Sequence, residues 1–203
     1  MPYRKHLNKD KILKAVIKQQ ESHTLEVRKN MCLHICASIM SQQLSTKVAA
    51  VIYARFLNLF KSKNPKPAVI LDVSHEQLRS IGLSNSKAVY IKNVCQFFIE
   101  HKLTDAKLYK LSNEELIELL TQIKGVGKWT VEMILMFALG REDVFSTGDF
   151  GIQKAMIQLY HIQYTNQKDL IEQMIAISNK WSPYRSYACK HLWRYLDVPL
   201  IPV

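Results

Sequence analysis

An all-helical fold is predicted by three features of the sequence. Apolar residues recur at the spacing of an amphipathic α-helix through most of the chain. No segment of useful length alternates apolar and polar residues as a half-buried β-strand does. Capping residues precede several of the periodic segments; Ser112 followed by Glu115, for example, has the spacing of a capping box. We therefore expect helices joined by short connections.

The first predicted helix covers residues 10–20. A longer helix ends at Ser41 and the next begins after Ser45, so Gln42 and Gln43 form a polar corner between them. Further helical patterns are found at residues 74–80, 86–100, 104–110, 113–123 and 166–180.

Prolines shape two of the connections. In the basic segment 61–67, we expect Pro65 and Pro67 to exclude a helix. Near the C-terminus, Ser182 and Pro183 have the pattern of an N-cap followed by a proline at the first helical position.

A glycine turn, Gly125-Val126-Gly127, separates two helical patterns and predicts a helix-turn-helix hairpin. The glycines permit a backbone with positive φ and remove the obstruction of a Cβ atom. Main-chain amides at the start of the second helix can then face an anion, helped by the helix dipole. Lys124 and Lys128 flank the turn. The hairpin therefore has the features of a phosphate-binding turn, although such a turn alone is also compatible with a purely structural role.

The helix after this turn is predicted to be buried, because Glu132 is its only charged residue over about three turns. Gly140 ends it. Asp149 then precedes a new helical pattern and is expected to be its N-cap. A carboxylate at that position accepts main-chain amide hydrogen bonds and is favoured by the positive end of the helix.

The charge balance favours a polyanionic partner, since 28 Lys and Arg residues against 17 Asp and Glu give a formal charge of +11 over 203 residues. No apolar run approaches the ~18 residues of a membrane span, and the N-terminal residues lack the apolar core of a signal peptide. We expect a soluble protein in the cytoplasm or elsewhere in the cell, at the nucleoid if the source is bacterial.

The cysteines are expected to be reduced and buried rather than paired or bound to zinc. They are Cys32, Cys36, Cys95 and Cys189. Cys32 and Cys36 share a face of their predicted helix while His34 points elsewhere, so this segment does not form a Cys-His zinc motif.

Two motifs together carry a resemblance to a known family. Residues 123–130, IKGVGKWT, followed by Asp149 a further 22 residues beyond Gly127, resemble the helix-hairpin-helix (HhH-GPD) DNA glycosylase superfamily. Trp129 and residues 143–145 resemble its alkylated-base branch, DNA-3-methyladenine glycosylase II. Three further segments agree with this resemblance, which covers about residues 30 to 195: residues 41–45, residues 81–84 with Lys87, and residues 181–188 with Trp193.

The resemblance implies a two-lobed helical fold in a compact form without an N-terminal β-domain. Residues 1–30 and 143–203 would form one discontinuous lobe, and residues 31–142 would form a central lobe that contains the hairpin. A cleft would hold the catalytic residue.

The implied activity is that of a monofunctional DNA glycosylase. Such an enzyme flips alkylated purines, of the 3-methyladenine and 7-methylguanine type, out of duplex DNA and hydrolyses their glycosidic bonds to start base excision repair. Asp149 would be the catalytic residue. Trp129, Trp193 and Met133 would form the base pocket, with Met133 at a position where the bacterial enzyme has a tyrosine.

The resemblance also implies roles in DNA binding. Gln43 or Leu44 would fill the gap left by the flipped base. The phosphate-binding residues would be Gly125, Val126, Gly127, Lys128 and Lys124. Backbone carbonyls of Thr121, Ile123 and Gly125 would hold a monovalent cation, Na⁺ or K⁺. No cofactor is expected for the chemistry, and no closely spaced cysteines follow Cys189 that could bind an iron–sulfur cluster.

Other functions remain open at this point. A non-catalytic DNA-binding protein would need the hairpin and the basic surface but no carboxylate at position 149. A bifunctional glycosylase/lyase for oxidised bases would need a lysine where this chain has Trp129. A helical protein of the membrane surface is disfavoured, because the apolar helices are apolar on nearly every side. We expect a monomer that binds double-stranded DNA and no membrane.

Overall fold

The structure, a computed structural model, describes residues 1–196, apart from the side chain of Thr46. Every regular element in that range is helical, which confirms the predicted all-α fold. The α-helices are α1 (Pro2–Leu7), α2 (Lys11–Lys18), α3 (Met31–Ser41), α4 (Thr46–Leu57), α5 (Pro67–Leu71), α6 (His75–Ser80), α7 (Asn85–Glu100), α8 (Asp105–Lys110), α9 (Asn113–Leu120), α10 (Lys128–Phe137), α11 (Phe150–Tyr160), α12 (Gln167–Ser178) and α13 (Arg185–Tyr195). A short 3-10 helix covers Asn179–Trp181.

The chain divides into two compact units. The terminal unit contains Met1–Leu25 and the chain from Gly140 to residue 196, and the central unit contains Glu26–Leu139. The lobes implied by the resemblance have their boundaries at 30/31 and 142/143, a few residues further along the chain. Residues 197–203, which the prediction assigned to the discontinuous lobe, lie outside the described residues.

Helix α10 belongs to the core of the central unit. Residues 130–136 are all buried, and α10 packs against α3. Helix α3 also packs on α7 and contributes Met31, Ile35 and Ile39, each 0% exposed. Burial of each such side chain contributes about 1.5–3 kcal/mol. The prediction of a buried helix after the glycine turn is confirmed.

In the terminal unit, α13 packs against both α11 and α2. Trp181 is fully buried there and lies 5.8 Å from Phe145 between ring centroids. Its indole Nε1 donates to Asp10 Oδ2 at 3.0 Å. Because α13 contacts one helix from each end of the chain, its packing joins the two separate segments of this unit.

Several predicted caps are confirmed. Ser112 and Glu115 form the reciprocal hydrogen bonds of a capping box at α9. Asp149 is the N-cap of α11, with its Oδ1 accepting from Ile152 N at 2.8 Å. These predictions succeed because a cap is a contact between residues only two or three positions apart.

Two predictions about proline are wrong. Pro67 begins α5 instead of excluding a helix, because the first helical position requires no amide hydrogen bond. The predicted cap at Ser182 is absent, and α13 begins at Arg185. The Ser182 hydroxyl donates to Asp143 Oδ2 at 2.8 Å, a distant contact that no local pattern indicates.

Within the described range, no helix combines the length and apolar character needed to cross a membrane.

Candidate active site

The hairpin turn of the central unit joins α9 to α10, and its two glycines have different conformations. Gly125 has φ +103°, and a Cβ atom there would lie 2.2 Å from Tyr90 Cγ, so this position requires glycine. Gly127 is the N-cap of α10 with φ −93° and ψ 170°. Of the two glycines that permit a positive φ, only Gly125 adopts one. A Cβ atom on Gly127 would meet nothing within 4 Å, so this glycine leaves open space beside the helix start.

The main chain of this turn is held by neighbouring side chains and by its own hydrogen bonds. Asn93 Nδ2 donates to Lys124 O at 3.2 Å. Val126 N donates to Ile123 O at 2.9 Å, and the Val126 side chain is buried. Val126 therefore contributes its side chain to the core, and only its main chain remains for a ligand. No side chain caps α10, so Gly127 begins the helix without a competing carboxylate or hydroxyl.

Lys128 lies on the solvent side of α10. Its side chain is 65% exposed, and its Nζ lies 3.9 Å from Glu132 Oε1, one helical turn further on. The Glu132 side chain is only 6% exposed. The interaction directs the ammonium group along the helix surface, and a rotation of about 100° around the helix separates Lys128 from the adjacent Trp129.

Trp129 and Met133 lie one turn apart on the same face of α10. Met133 is 1% exposed, whereas Trp129 is half-buried. Both residues predicted for the base pocket in this unit therefore share a face of the helix that starts at the hairpin. Trp193, the third predicted pocket residue, belongs to the terminal unit.

The corner between α3 and α4 separates the two adjacent glutamines. Gln43 is exposed and adopts a left-handed conformation with φ 58°, and Leu44 beside it is 37% exposed. Gln42 is half-buried, and its Nε2 donates to Thr130 Oγ1 at 3.2 Å. Both predicted gap-filling side chains therefore reach the surface, while their neighbour is turned toward the hairpin.

Three of the four cysteines form a cluster in the central unit. The sulfur atoms of Cys32, Cys36 and Cys95 all lie within 4.8 Å of one another. All four cysteines are buried free thiols, as predicted. The cluster is the only group of three or more such potential ligands within residues 1–196, and His34 is outside it. Local spacing could not indicate it, because Cys95 comes from a different helix.

In the terminal unit, the carboxylate of Asp149 is oriented by two donors. Its Oδ1 accepts from Ile152 N at 2.8 Å and from Trp193 Nε1 at 2.8 Å, and the residue is only 8% exposed. The first donor belongs to the helix that Asp149 caps, and the second belongs to α13. The structure thus brings the predicted catalytic residue into direct contact with one predicted pocket aromatic.

Gly151 makes this contact possible, and sequence reasoning missed it. A Cβ atom at this position would lie 3.1 Å from Trp193 Cδ1 and 3.2 Å from Asp149 Oδ1. Both distances are shorter than ordinary van der Waals contact, so a larger residue would push the indole and the carboxylate apart. The only available signal was a glycine two residues after the candidate Asp.

Phe150 was also missed. It follows Asp149 at the first position of α11 and is 79% exposed, the most exposed large apolar side chain within residues 1–196. An exposed aromatic ring beside a buried carboxylate is a candidate stacking surface for a planar ligand. Its position directly after the Asp was visible in the sequence, but its exposure was not.

The loop that carries Asp149 is fastened to the start of α13. The Arg185 side chain donates two hydrogen bonds to Asp143, from Nε to Oδ1 at 2.6 Å and from Nη2 to Oδ2 at 3.0 Å. Burial alone would raise the pKa of Asp143, but hydrogen bonds from Arg185 and Ser182 outweigh it and lower that pKa. Ser186 Oγ accepts from Val144 N at 3.0 Å. These contacts fix the segment before Asp149 relative to the helix that carries Trp193.

The sequence model of a family described as "HhH-GPD superfamily base excision DNA repair protein" matches residues 36–180. The chain belongs to this superfamily. The match includes the hairpin, the corner at Gln43 and Leu44, and Asp149. Residues 181–188 and Trp193, which also suggested the resemblance, lie beyond it.

Two similar proteins are named as DNA-3-methyladenine glycosylases. The chain is 33% identical over 189 residues to DNA-3-methyladenine glycosylase 1 of Schizosaccharomyces pombe, covering 92% of this chain and 81% of that protein. It is 33% identical over 172 residues to a putative DNA-3-methyladenine glycosylase of Bacillus subtilis, covering 82% of this chain. The matched region spans 58% of the length of that second relative.

A solved superfamily structure is also similar. The 3-methyladenine DNA glycosylase of Schizosaccharomyces pombe, in complex with abasic DNA, superposes with a TM-score of 0.87 at 30% identity. The similarity covers 98% of each chain.

Proposed function

We propose that this chain is a monofunctional DNA glycosylase that removes alkylated purines, of the 3-methyladenine and 7-methylguanine type, from duplex DNA. The observation that carries the proposal is the buried Asp149 carboxylate, oriented by Ile152 N and Trp193 Nε1, in a member of the HhH-GPD superfamily. Relatives named as DNA-3-methyladenine glycosylases support the choice of alkylated bases.

Asp149 would act when the glycosidic bond breaks. Departure of the base leaves positive charge on the sugar, and a carboxylate held nearby stabilises that charge and orients the attacking water. The two hydrogen bonds to Oδ1 fix the orientation of this carboxylate before substrate binds. Because the group is preorganised and 8% exposed, its charge would be screened less than that of a surface carboxylate.

The aromatic side chains would recognise the base by its charge. Alkylation at N3 or N7 gives the purine a positive charge, which both weakens its glycosidic bond and favours stacking on an aromatic face. Phe150, the residue directly after Asp149, offers an exposed ring. In the terminal unit, Trp193 would serve the same recognition from beside the carboxylate. In the central unit, Trp129 and Met133, which share a face of α10, are the other proposed base-recognition residues.

DNA would be held through its backbone and through the vacated base position. Removal of a base from a duplex requires that the nucleotide be flipped out, and Gln43 or Leu44 would fill the gap. The main chain from Gly125 to Lys128 would bind phosphate, with Lys124 and Lys128 adding positive charge. Such contacts position the protein on DNA and carry no sequence information.

The proposed enzyme would act as a monomer, at the nucleoid if the source is bacterial.

A monovalent cation at the hairpin is part of this proposal. The backbone carbonyls of Thr121, Ile123 and Gly125 would hold it. Ile123 O accepts one hydrogen bond from Val126 at 2.9 Å, and Gly125 O accepts one from Gln42 at 3.5 Å. Each carbonyl oxygen has two lone pairs, so this neutral oxygen set retains capacity for a hard cation. When bound, the ion would add positive charge facing a phosphate.

The proposal is tested by incubating the protein with methylated duplex DNA and identifying the released bases by chromatography. We expect free 3-methyladenine or 7-methylguanine. DNA binding without any base release would support the alternative of a non-catalytic DNA-binding protein and contradict the proposal.

Strand cleavage separates the proposal from the lyase alternative. By the family resemblance, lyase members of the superfamily have a lysine two residues after the second hairpin glycine. This chain has Trp129 at that position. The adjacent Lys128 lies on the exposed side of α10, so water would be the nucleophile. We expect an intact abasic strand that is cut only after alkali treatment, and no covalent adduct with borohydride present. An adduct that disappears in Lys128→Ala would show that the chain is a lyase.

The phosphate role of the hairpin is tested by Gly127→Ala. The added Cβ meets nothing within 4 Å and φ is −93°, so the fold should keep its stability. A methyl group beside the helix start should weaken binding to damaged and undamaged duplexes alike, measured by fluorescence anisotropy. Loss of affinity for one lesion only, with undamaged DNA bound normally, would contradict the phosphate role.

A further inference from the structure

The structure assigns Lys87 and Gln42 as positioning residues that hold the corner at Gln43 and Leu44 in the shape needed to fill the gap left by a flipped base. This inference rests on the proposed function, because it concerns the same step of base flipping. Neither residue is expected to contact the reacting atoms.

Lys87 directs its ammonium group at the end of α3. Its Nζ donates to Gln42 O at 2.6 Å and to Met40 O at 3.0 Å. The last carbonyls of a helix lack main-chain partners and carry the negative end of the helix dipole, so a cation is favoured there. Burial lowers the pKa of Lys87, in keeping with an ammonium withdrawn from water. The ammonium group thus interacts with the carbonyls at the end of α3.

Gln42 connects this end of α3 to the hairpin. Its main-chain carbonyl accepts from Lys87, while its side-chain Nε2 donates to Thr130 Oγ1 at 3.2 Å and to Gly125 O at 3.5 Å. Thr130 lies in the first turn of α10, and Gly125 lies in the turn before it. One half-buried residue therefore joins the gap-filling corner to the turn proposed to bind phosphate, within the central unit.

These contacts matter because Gln43 adopts an unfavourable conformation. Its φ of 58° is left-handed, which non-glycine residues adopt only when their surroundings hold them there. On one side of Gln43, Gln42 is held through its main-chain carbonyl by Lys87 and through its side chain by Thr130. On the other side, Leu44 N donates to Ser41 O at 3.1 Å. This frame holds the corner in its exposed shape before DNA arrives, so that the shape does not have to be formed during flipping.

The chain offers a matched control for Lys87. Lys92 lies on the same helix, α7, and its Nζ donates to Leu71 O at 2.6 Å, at the last residue of α5. It is therefore another lysine that caps a helix C-terminus, but it holds a different helix. Replacement of either lysine by methionine keeps most of the apolar stem and removes the ammonium group.

The experiment compares Lys87→Met, Lys87→Arg and Lys92→Met for binding to two duplexes, one undamaged and one with an abasic site, by fluorescence anisotropy. In Lys87→Met, we expect the preference for the abasic duplex to fall by about 5- to 30-fold, the equivalent of one left-handed residue. Binding to undamaged DNA should remain within about twofold of the original. Lys87→Arg should restore part of the preference, since a guanidinium can donate to both carbonyls. Lys92→Met should keep it.

Base release gives a second measurement. In Lys87→Met, the single-turnover rate should fall most for a lesion in a fully paired duplex and least for the same lesion opposite a mismatch, where flipping is easier. Equal behaviour of Lys87→Met and Lys92→Met, or a uniform loss of affinity for both duplexes, would overturn the inference. Failure of the proposed function is distinguishable, because the unsubstituted protein would then release no base while the binding comparison still tests the corner.

Discussion

Replacement of Asp149 by asparagine should remove catalysis while leaving the fold almost unchanged. The amide oxygen of asparagine can still accept from Ile152 N and Trp193 Nε1, the two donors that lie 2.8 Å from Oδ1. Asparagine is also about as good an N-cap as aspartate. The lost negative charge weakens the hydrogen bond from the indole and the interaction with the helix dipole, which together should cost about 1–2 kcal/mol of stability.

The catalytic cost should be much larger. Removal of a single neutral hydrogen-bond donor from a preorganised site lowers the rate by about 10²- to 10³-fold. Here a full charge opposite a developing cation is removed from a residue that is 8% exposed. We therefore expect base release by Asp149→Asn to be slower by about 10³-fold or more. Affinity for undamaged DNA should be retained, because phosphate binding is assigned to the other unit.

Asp10 provides a matched control in the same unit. It is the N-cap of α2, accepts from Ile12 N at 3.0 Å and Leu13 N at 3.1 Å, and accepts from Trp181 Nε1 at 3.0 Å. Its Oδ2 also accepts from the Tyr160 hydroxyl at 2.8 Å, so Asp10→Asn perturbs a cap and an indole contact outside the proposed site and should cost at least as much stability as Asp149→Asn. Single-turnover release of 7-methylguanine and thermal unfolding should be measured for both variants. If Asp149→Asn keeps more than about a tenth of the original rate while folded, or if Asp10→Asn is equally slow, the catalytic assignment is refuted.

Two further predictions follow from the terminal unit. Gly151→Ala should slow base release by about tenfold or more, because the added Cβ would lie 3.1 Å from Trp193 Cδ1 and shift the indole from the carboxylate. In the control Gly148→Ala, the added Cβ meets nothing within 4 Å, so base release should be unchanged. The stability of the protein should also fall below about pH 6.5. Burial is the main cause, and the charge of Lys190 the second, of a pKa of about 4 for His23. For His191, burial and then the charge of His23 lower the pKa to about 3. Both folded-state values lie below the unfolded value, so this stability is complete above about pH 6.5 and is lost as the pH falls toward 4, by an amount on the order of 2–3 kcal/mol at pH 5. Urea unfolding between pH 7.5 and pH 4.5 would contradict this if the free energy of unfolding were unchanged, or if His191→Gln left its pH dependence unaltered.

The sequence alone determined the features that depend on neighbours along the chain. Helical periodicity predicted the all-α class, and the near absence of charge predicted that α10 is buried. The glycine turn located the hairpin, and Asp149 was placed correctly as an N-cap. In each case the interacting residues are a few positions apart, so their spacing in the sequence fixes their geometry in the helix or turn.

Tertiary structure decided which distant side chains meet. Trp193 donates to Asp149 although they are 44 positions apart, and a Cβ atom at Gly151 would crowd both the indole and the carboxylate. The packing of α7 against α3 brings the Lys87 ammonium group to the main-chain carbonyl of Gln42. The fold also turns the Gln42 side chain inward and leaves Gln43 exposed. These contacts cannot be predicted from the periodicity of the sequence, because they depend on how whole helices pack. A local pattern can therefore nominate the proposed catalytic carboxylate, but only the fold supplies the indole that helps to orient it.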